Sequence, residues 1–403
     1  MTFRHDKVAG KRLDDFATTD VDKAALSHWI HNRGTKAAET YAPKAKSLLP
    51  EAIYDLFKKD SAQVHDVAGR QMLFDDVLGV PFPPPRKPGF TFIDLFAGIG
   101  GFRIAMQSCG GKCVFSSEWD KAARKTYFDN YGEIPFGDIT LEETKRFIPT
   151  TFDVLCAGFP CQPFSLAGVS ARTAMNKDHG FKDKTQGTLF FDIMQIVRSR
   201  KPKVLFLENV KNIVNHDKGN TFRIIQESIE KEGYSFHYEI IDSSSVVPQK
   251  RVRCYMVCIK DGGSFAFPSF EGPALPLSSI LEKNPDDSYT ISDGLWAGHM
   301  RRTARNLDRG TGFTAFTADL SKPSRTLVAR YYKDGKECLV PQEGKNPRML
   351  TPRECARLQG FPGDFILASS RTVLYKQMGN SVVVPVLSKI ALEIKRQSLS
   401  EEG

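Results

Sequence analysis

Between residues 90 and 259, short apolar runs alternate with stretches of helical periodicity, and this alternation limits the possible folds more than any other feature of the chain. The runs lie at 90–96, 113–117, 153–157, 204–208, 238–241 and 254–259, with helical spacing near 103–108, 121–130, 188–199 and 221–232. Strands separated by helix-length connections pair in parallel, because the chain must cross back over the sheet between them. The pattern predicts an α/β protein with a mostly parallel, Rossmann-like sheet and helices on both faces. Such sheets bind ligands beyond the carboxyl ends of their strands. The residues just after each run are therefore where chemistry is expected.

The flanks differ. Residues 1 to about 80 carry apolar groups at helical spacing, as in Ala25-Leu26-Ser27-His28-Trp29-Ile30 and Ala52-Ile53-Tyr54-Asp55-Leu56-Phe57. Pro81-Phe82-Pro83-Pro84-Pro85-Arg86-Lys87-Pro88 then reads as a stiff linker. From about Gly262 the periodicity is lost, and order returns at 350–361 and in the apolar segment 382–394, which is expected to pack back on the sheet. The organisation expected is a helical extension and linker (1–87), a catalytic and cofactor-binding domain (88–262), an irregular domain (263–346) and a return segment completing the catalytic domain (347–403).

Net charge is +9, and residues 301–353 hold twelve Arg and Lys against five Asp and Glu. Most of the surplus thus sits in one stretch, as on a phosphate-binding surface. No apolar run approaches the roughly 20 residues of a membrane span, and Met1-Thr2-Phe3-Arg4-His5-Asp6-Lys7 is followed by no apolar signal region. The eight cysteines, at 109, 113, 156, 161, 254, 258, 338 and 355, form no Cys-x-x-Cys pair. Reduced thiols, no metal site and a cytoplasmic location are expected.

Phe159-Pro160-Cys161-Gln162-Pro163-Phe164-Ser165 sets a thiol between two prolines straight after an apolar run. A thiolate held there suits attack on electron-poor carbon; a buried structural cysteine is the alternative, and the segment alone leaves both open. The first run enters Asp94-Leu95-Phe96-Ala97-Gly98-Ile99-Gly100-Gly101, a turn whose glycines let a ligand meet the backbone. Glu118, twenty positions after Gly98, is placed to accept ribose hydroxyls, and Asp138 to hold an adenine amino group. The third spaced glycine of a dinucleotide fingerprint is missing, which favours S-adenosylmethionine over NAD. Glu208-Asn209-Val210 puts an acid at the edge of a buried run, costly unless bound, working or capping a helix. In Gln249-Lys250-Arg251-Val252-Arg253, strand alternation would put Arg251 and Arg253 on one face.

Over roughly residues 90–395 these motifs make the chain resemble the bacterial cytosine-5 DNA methyltransferases. The matching blocks are 94–101, Glu118-Trp119, Gly137-Asp138-Ile139, Pro160-Cys161-Gln162, Thr185-Gln186-Gly187-Thr188, Glu208-Asn209-Val210, 249–253, 348–362 and Gln377-Met378-Gly379-Asn380-Ser381-Val382, in the family's order. The resemblance implies an S-adenosylmethionine-dependent methyltransferase domain of Rossmann-like fold, a smaller irregular target-recognition domain and a helical amino-terminal extension.

It implies Cys161 as nucleophile toward C6 of a flipped cytosine, with Glu208, Arg251 and Arg253 completing the catalytic set. S-adenosylmethionine would be bound by Phe96, Gly98, Glu118, Trp119, Asp138, Ile139, Pro160, Asn380 and Ser381. Double-stranded DNA would be contacted through Ser165, Gln249, Arg325, Arg330 and Lys333, and the stretch 165–184 looks like the family's closing loop. The blocks around Gly312 and 325–335 are similar to those of enzymes methylating the inner cytosine of CCWGG or CCNGG sites.

A monomer, with a cognate restriction endonuclease acting on the same site, is the expected setting. Some relatives carry a repressing helix-turn-helix ahead of the family domain. Here a helical appendage that touches DNA backbone or buttresses the catalytic domain is expected instead. The competing classes are an RNA cytosine-5 methyltransferase, a DNA-binding repressor with vestigial catalytic parts, and a nicotinamide oxidoreductase.

Overall fold

The structure is a computed structural model that describes residues 11–59, 74–160, 189–310, 312 and 314–399. Six strands, β1 (Phe90–Leu95), β2 (Gly111–Ser117), β3 (Val154–Gly158), β4 (Val204–Val210), β5 (His237–Asp242) and β6 (Val252–Ile259), form one sheet in the order β2-β1-β3-β4-β6-β5. β1 pairs in parallel with β2 and β3, and β3 with β4, whereas β6 runs antiparallel to β4. β2 is buried along its whole length and β4 through Asn209, as strands covered on both faces should be. The mostly parallel α/β sheet read from the apolar runs is what the chain forms.

By compactness the chain divides into two units. The first comprises the described parts of Met1–Ile240, Arg253–Phe267 and Ala391–Gly403; the second comprises Ile241–Val252 and Pro268–Ile390.

Helices Gly101–Ser108, Lys121–Tyr131, Leu189–Arg200 and Asn220–Glu230 link the strands of the first unit. The helix Lys121–Tyr131 begins where the Asp120 carboxylate accepts the Ala122 and Ala123 amides, satisfying donors that the first turn leaves over. It ends at Gly132, whose φ of +64° and contact with the Val77 carbonyl leave no room for a Cβ.

Three amino-terminal helices, Asp20–Asn32, Ala38–Leu48 and Glu51–Lys59, join the same hydrophobic core as the sheet. Trp29 stacks on Tyr54 with ring centroids 5.0 Å apart. Tyr41 lies 6.2 Å from Phe136, which stacks in turn on Phe115 of β2 and on Phe147. The Tyr41 hydroxyl donates to the Val114 carbonyl at 2.5 Å.

The second unit has less regular structure: helices Asp293–Asp308, Pro352–Leu358 and Arg371–Asn380, with isolated bridges such as Gln249 to Ser324 and Val340 to Arg348. Its helix at Pro352 is set by a capping box between Thr351 and Glu354. Arg348 clamps the buried Glu354 carboxylate through two bonds of 2.8 Å. No helix among the described residues is long and apolar enough to cross a membrane.

Candidate active site

At the carboxyl end of β1 the backbone turns through two left-handed positions, Phe96 (φ +55°) and Gly98 (φ +55°). A phenylalanine held there is strained by about 1–2 kcal/mol, and such strain collects at binding sites. A Cβ built on Gly98 would meet nothing within 4 Å, so space lies open beside that backbone. Just before the turn, Asp94 is fully buried and neither carboxylate oxygen has a hydrogen bond of good geometry. Burial pushes its carboxyl up to about 8; the Arg103 guanidinium works against that rise, and the Glu118 and Glu133 carboxylates add to it.

Glu118 follows β2 and is fixed at both oxygens: Oε2 accepts the Gly98 amide and Oε1 the Asp120 amide, each at 2.8 Å. Burial raises its carboxyl above the usual range, and those two amides oppose the shift. A short strip beside β2 brings in Asp138. The Glu118 amide donates to the Phe136 carbonyl, the Phe136 amide to the Ser116 carbonyl, and the Ser117 hydroxyl to the Gly137 carbonyl. Asp138 is exposed and accepts the Thr140 amide at 2.9 Å, while Ile139 beside it is buried. Trp119 is 79% exposed, the barest large apolar side chain described. Glu118, Trp119, Asp138, Gly98 and Phe96 are thus gathered at the ends of β1 and β2, as their motifs predicted from strand ends.

β3 runs into Phe159 and an exposed Pro160. The Asn209 side-chain amide, at the end of β4, donates to the Phe159 carbonyl at 2.9 Å and ties the two strand ends together. Glu208, next to Asn209, pairs with Gly158 on β3 and Tyr255 on β6. Its Oε1 lies 3.2 Å from Nε of Arg253, and both side chains are largely buried. In sequence, Asn209 is marked only by its motif and by its place beside an acid at the end of an apolar run.

In the second unit, Arg251 is buried and bonds three carbonyls: Leu327 at 2.9 Å, Gly379 at 3.1 Å and Ser381 at 2.6 Å. It immediately precedes β6, whose second residue is Arg253. Gln249, expected to touch DNA, is also fully buried: its Nε2 donates to the Leu358 carbonyl and its Oε1 accepts the Leu327 amide. This arrangement makes it a strut for the backbone rather than a group presented to a ligand.

Asn380 ends the helix Arg371–Asn380, and Ser381 caps it. Arg325, Arg330 and Lys333 are exposed, and Arg325 donates to the Thr314 carbonyl. The basic stretch has a second exposed group, Arg301, Arg302, Arg305 and Arg309, on and just beyond the helix Asp293–Asp308. A hollow in this unit is lined by His299, Arg302, Thr303, Asn306, Ala315 and Lys336.

The chain matches the family described as C-5 cytosine-specific DNA methylase over residues 90–396. It belongs to that family.

The type II methyltransferase M.SsoII of Shigella sonnei is 47% identical over 322 residues, covering 78% of this chain and 82% of its own. The type II methyltransferase M.HpaII of Haemophilus parainfluenzae is 41% identical, covering 81% and 97%. Among solved structures, the Entamoeba histolytica methyltransferase EhMeth superposes with a TM-score of 0.56 at 20% identity, over 76% of this chain and 98% of its own, a likeness of fold.

The methylase is thus a DNA cytosine-5 methyltransferase, and duplex DNA is its substrate. Two of its expected site residues, Cys161 and Ser165, lie outside the described residues, as does the expected closing loop at 165–184. Among the described residues no cluster of three or more His, Cys, Asp or Glu is placed to hold a metal ion.

Proposed function

We propose that the methylase works by covalent catalysis from Cys161 on a cytosine turned out of duplex DNA, with S-adenosylmethionine as methyl donor. The observation that carries this reading is the end of β4. There Glu208 meets Arg253 at 3.2 Å while the neighbouring Asn209 holds the carbonyl of Phe159, two residues before the cysteine. An acid, a cation and the approach to a thiol are set together on buried strand ends, where their geometry is held by the sheet.

A base stacked in the duplex is out of reach of such a site, and extrusion costs a few kcal/mol, offset by contacts to its edge. The Cys161 thiolate adds to C6 of the ring, which makes C5 nucleophilic. Glu208 holds N3 and the exocyclic amine and gives a proton as charge develops. Arg253 binds the base oxygen. Once C5 has taken the methyl group, with S-adenosylhomocysteine as leaving group, a base removes the C5 proton. Glu208 recovers the proton it lent to the ring, and elimination of the Cys161 thiolate restores aromaticity.

Bound S-adenosylmethionine supplies an electrophilic methyl group. The residues at the ends of β1 and β2 fit an adenosyl ligand: a twice-anchored carboxylate, an exposed indole, a second acid and open space beside Gly98. Phe96, Gly98, Glu118, Trp119, Asp138, Ile139 and Pro160 would hold it in this reading, and the family resemblance adds Asn380 and Ser381. Arg251 acts by holding the helix end that carries the last two.

DNA is met by Ser165, Arg325, Arg330 and Lys333, with Gln249 supporting the backbone among them. Residues 263–346 read the site and 347–403 complete the catalytic domain. The site proposed is CCWGG or CCNGG, methylated at the inner cytosine. The protein acts as a cytoplasmic monomer, paired with a restriction endonuclease of the same specificity.

Bisulfite sequencing of DNA from cells expressing the chain tests the specificity. Protected cytosines should fall at one position of a single short motif. Protection scattered without a shared motif, or no protected cytosine in DNA while bisulfite-treated RNA from the same cells is protected, would refute it.

A further inference from the structure

We infer that the amino-terminal helix Asp20–Asn32 is a positioning element for the methyl donor, acting through Ser27, His28 and His31. The inference rests on the cofactor site proposed above. The family match begins at residue 90, so this helix lies ahead of the matched domain. Its polar side chains nevertheless turn inward: Ser27, His28, His31 and Asn32 are all buried.

Their partners lie on two segments. The Ser116 amide donates to Nε2 of His28 at 3.1 Å, two residues before Glu118. The Ile134 amide donates to the Ser27 hydroxyl at 3.1 Å, four residues before Asp138. Nε2 of His31 lies 3.1 Å from the Gly132 carbonyl. Asp20 of the same helix meets the Arg124 guanidinium at 2.9 Å, and Arg124 also donates to the Pro135 carbonyl. The end of β2 and the strip at 132–138, already bonded to each other, are therefore fastened from behind by one helix. On or just past these two segments lie Glu118, Trp119, Asp138 and the buried Ile139.

The same contacts reach the glycine turn. Nδ1 of His28 lies 2.8 Å from the Ala24 carbonyl and donates to it, which leaves Nε2 as an acceptor. Burial holds this imidazole neutral, against the pull of the Glu133 carboxylate 3.3 Å away. Glu133 in turn binds Arg103, the third residue of the helix that leaves the glycine turn. Arg103 also meets the Tyr127 hydroxyl, and the nearby Tyr131 hydroxyl donates to the Gly100 carbonyl.

The helix thus sets where both carboxylates and the turn stand. With Ser27, His28 and His31 facing inward, it offers none of them to DNA. A buried amide deprived of its acceptor must move to find another, and small displacements of binding groups are costly in affinity.

The test uses the full-length chain with His28→Ala, His28→Gln and Ser27→Ala, at a temperature where each is folded. Binding of S-adenosylhomocysteine, read by calorimetry and by Trp119 fluorescence, should weaken about tenfold in His28→Ala and less in Ser27→Ala. KM for the donor should rise in step, while kcat and duplex affinity stay within about twofold. His28→Gln keeps a neutral acceptor for the Ser116 amide and should recover most of the loss. Amide exchange at Ser116 and Ile134 should quicken in the weakened variants.

Glu118→Ala is the control for the site itself. If it abolishes binding while His28→Ala and Ser27→Ala bind normally, the inference is wrong. If Glu118→Ala also binds normally, the cofactor-site reading has failed instead. A parallel fall in kcat, duplex affinity and donor binding would show that the helix only stabilises the fold. Should His28→Ala not fold, Ser27→Ala carries the decision.

Discussion

Cys161→Ala should abolish methyl transfer, by at least about 10⁴-fold, the scale seen when a covalent nucleophile is removed, while duplex and donor still bind. The reason is chemical. C5 of cytosine is too poor a nucleophile to take a methyl group until a thiolate has added at C6. No other described thiol is suited to substitute. The seven described cysteines are buried, and a buried thiol resists ionisation. Burial pushes Cys156, on β3 leading toward the site, well above the ordinary thiol range. Cys254, across β6 from Asn209, is pushed up to about 12, by burial first and then by the Glu208 charge. Measured single-turnover methylation, with gel-shift and calorimetric binding as controls, checks the prediction. A variant that still turns over within tenfold would remove the nucleophile from the account.

Glu208→Gln should cost about 10²–10⁴-fold in kcat, the range for losing a positioned proton donor, with little change in KM for DNA. Glutamine keeps the shape and offers hydrogen bonds to the base edge, yet it holds no proton that it gives up at neutral pH. The substitution also leaves Arg253 without its carboxylate partner at 3.2 Å. Because Arg253 keeps some access to solvent, the fold should survive and the loss should appear in the chemical step. Equal activity in Glu208→Gln, or a loss confined to KM, would assign Glu208 to binding alone.

The sheet was legible because strands β1 to β4 are short, mostly apolar and almost wholly buried segments, the pattern of strands covered on both faces. The sense of β6 was not, since an apolar run such as Cys254–Ile259 carries no record of its direction relative to β4. Glu118, just past β2, and Glu208, near the end of β4, were legible as acids at strand ends, whereas Asp138 follows a short bridged strip beside β2.

The partners that fix those acids are read less easily. The spacing of twenty from Gly98 marked Glu118 but not its bond to the Gly98 amide, and the Ile134 amide on Ser27 spans 107 residues and leaves no local trace. Residues 1–87 were therefore legible only as a helical appendage that touches DNA backbone or buttresses the catalytic domain, and not as a segment whose Trp29, Tyr41 and Phe57 are part of the sheet's own core. The partners of Gln249 and Arg251 were hidden for a related reason: only the fold supplies the Leu327, Leu358, Gly379 and Ser381 backbone groups that bury them.

The most direct measurement of the central claim is covalent trapping on a duplex whose target cytosine carries fluorine at C5. Fluorine does not leave as a proton does, so the ring stays bonded to sulfur after methylation. With S-adenosylmethionine present, the protein should form a one-to-one adduct stable to denaturation, with the modification mapping to Cys161 and absent from Cys161→Ala. A protein that methylates the ordinary duplex yet forms no adduct on the fluorinated one would contradict attack at C6.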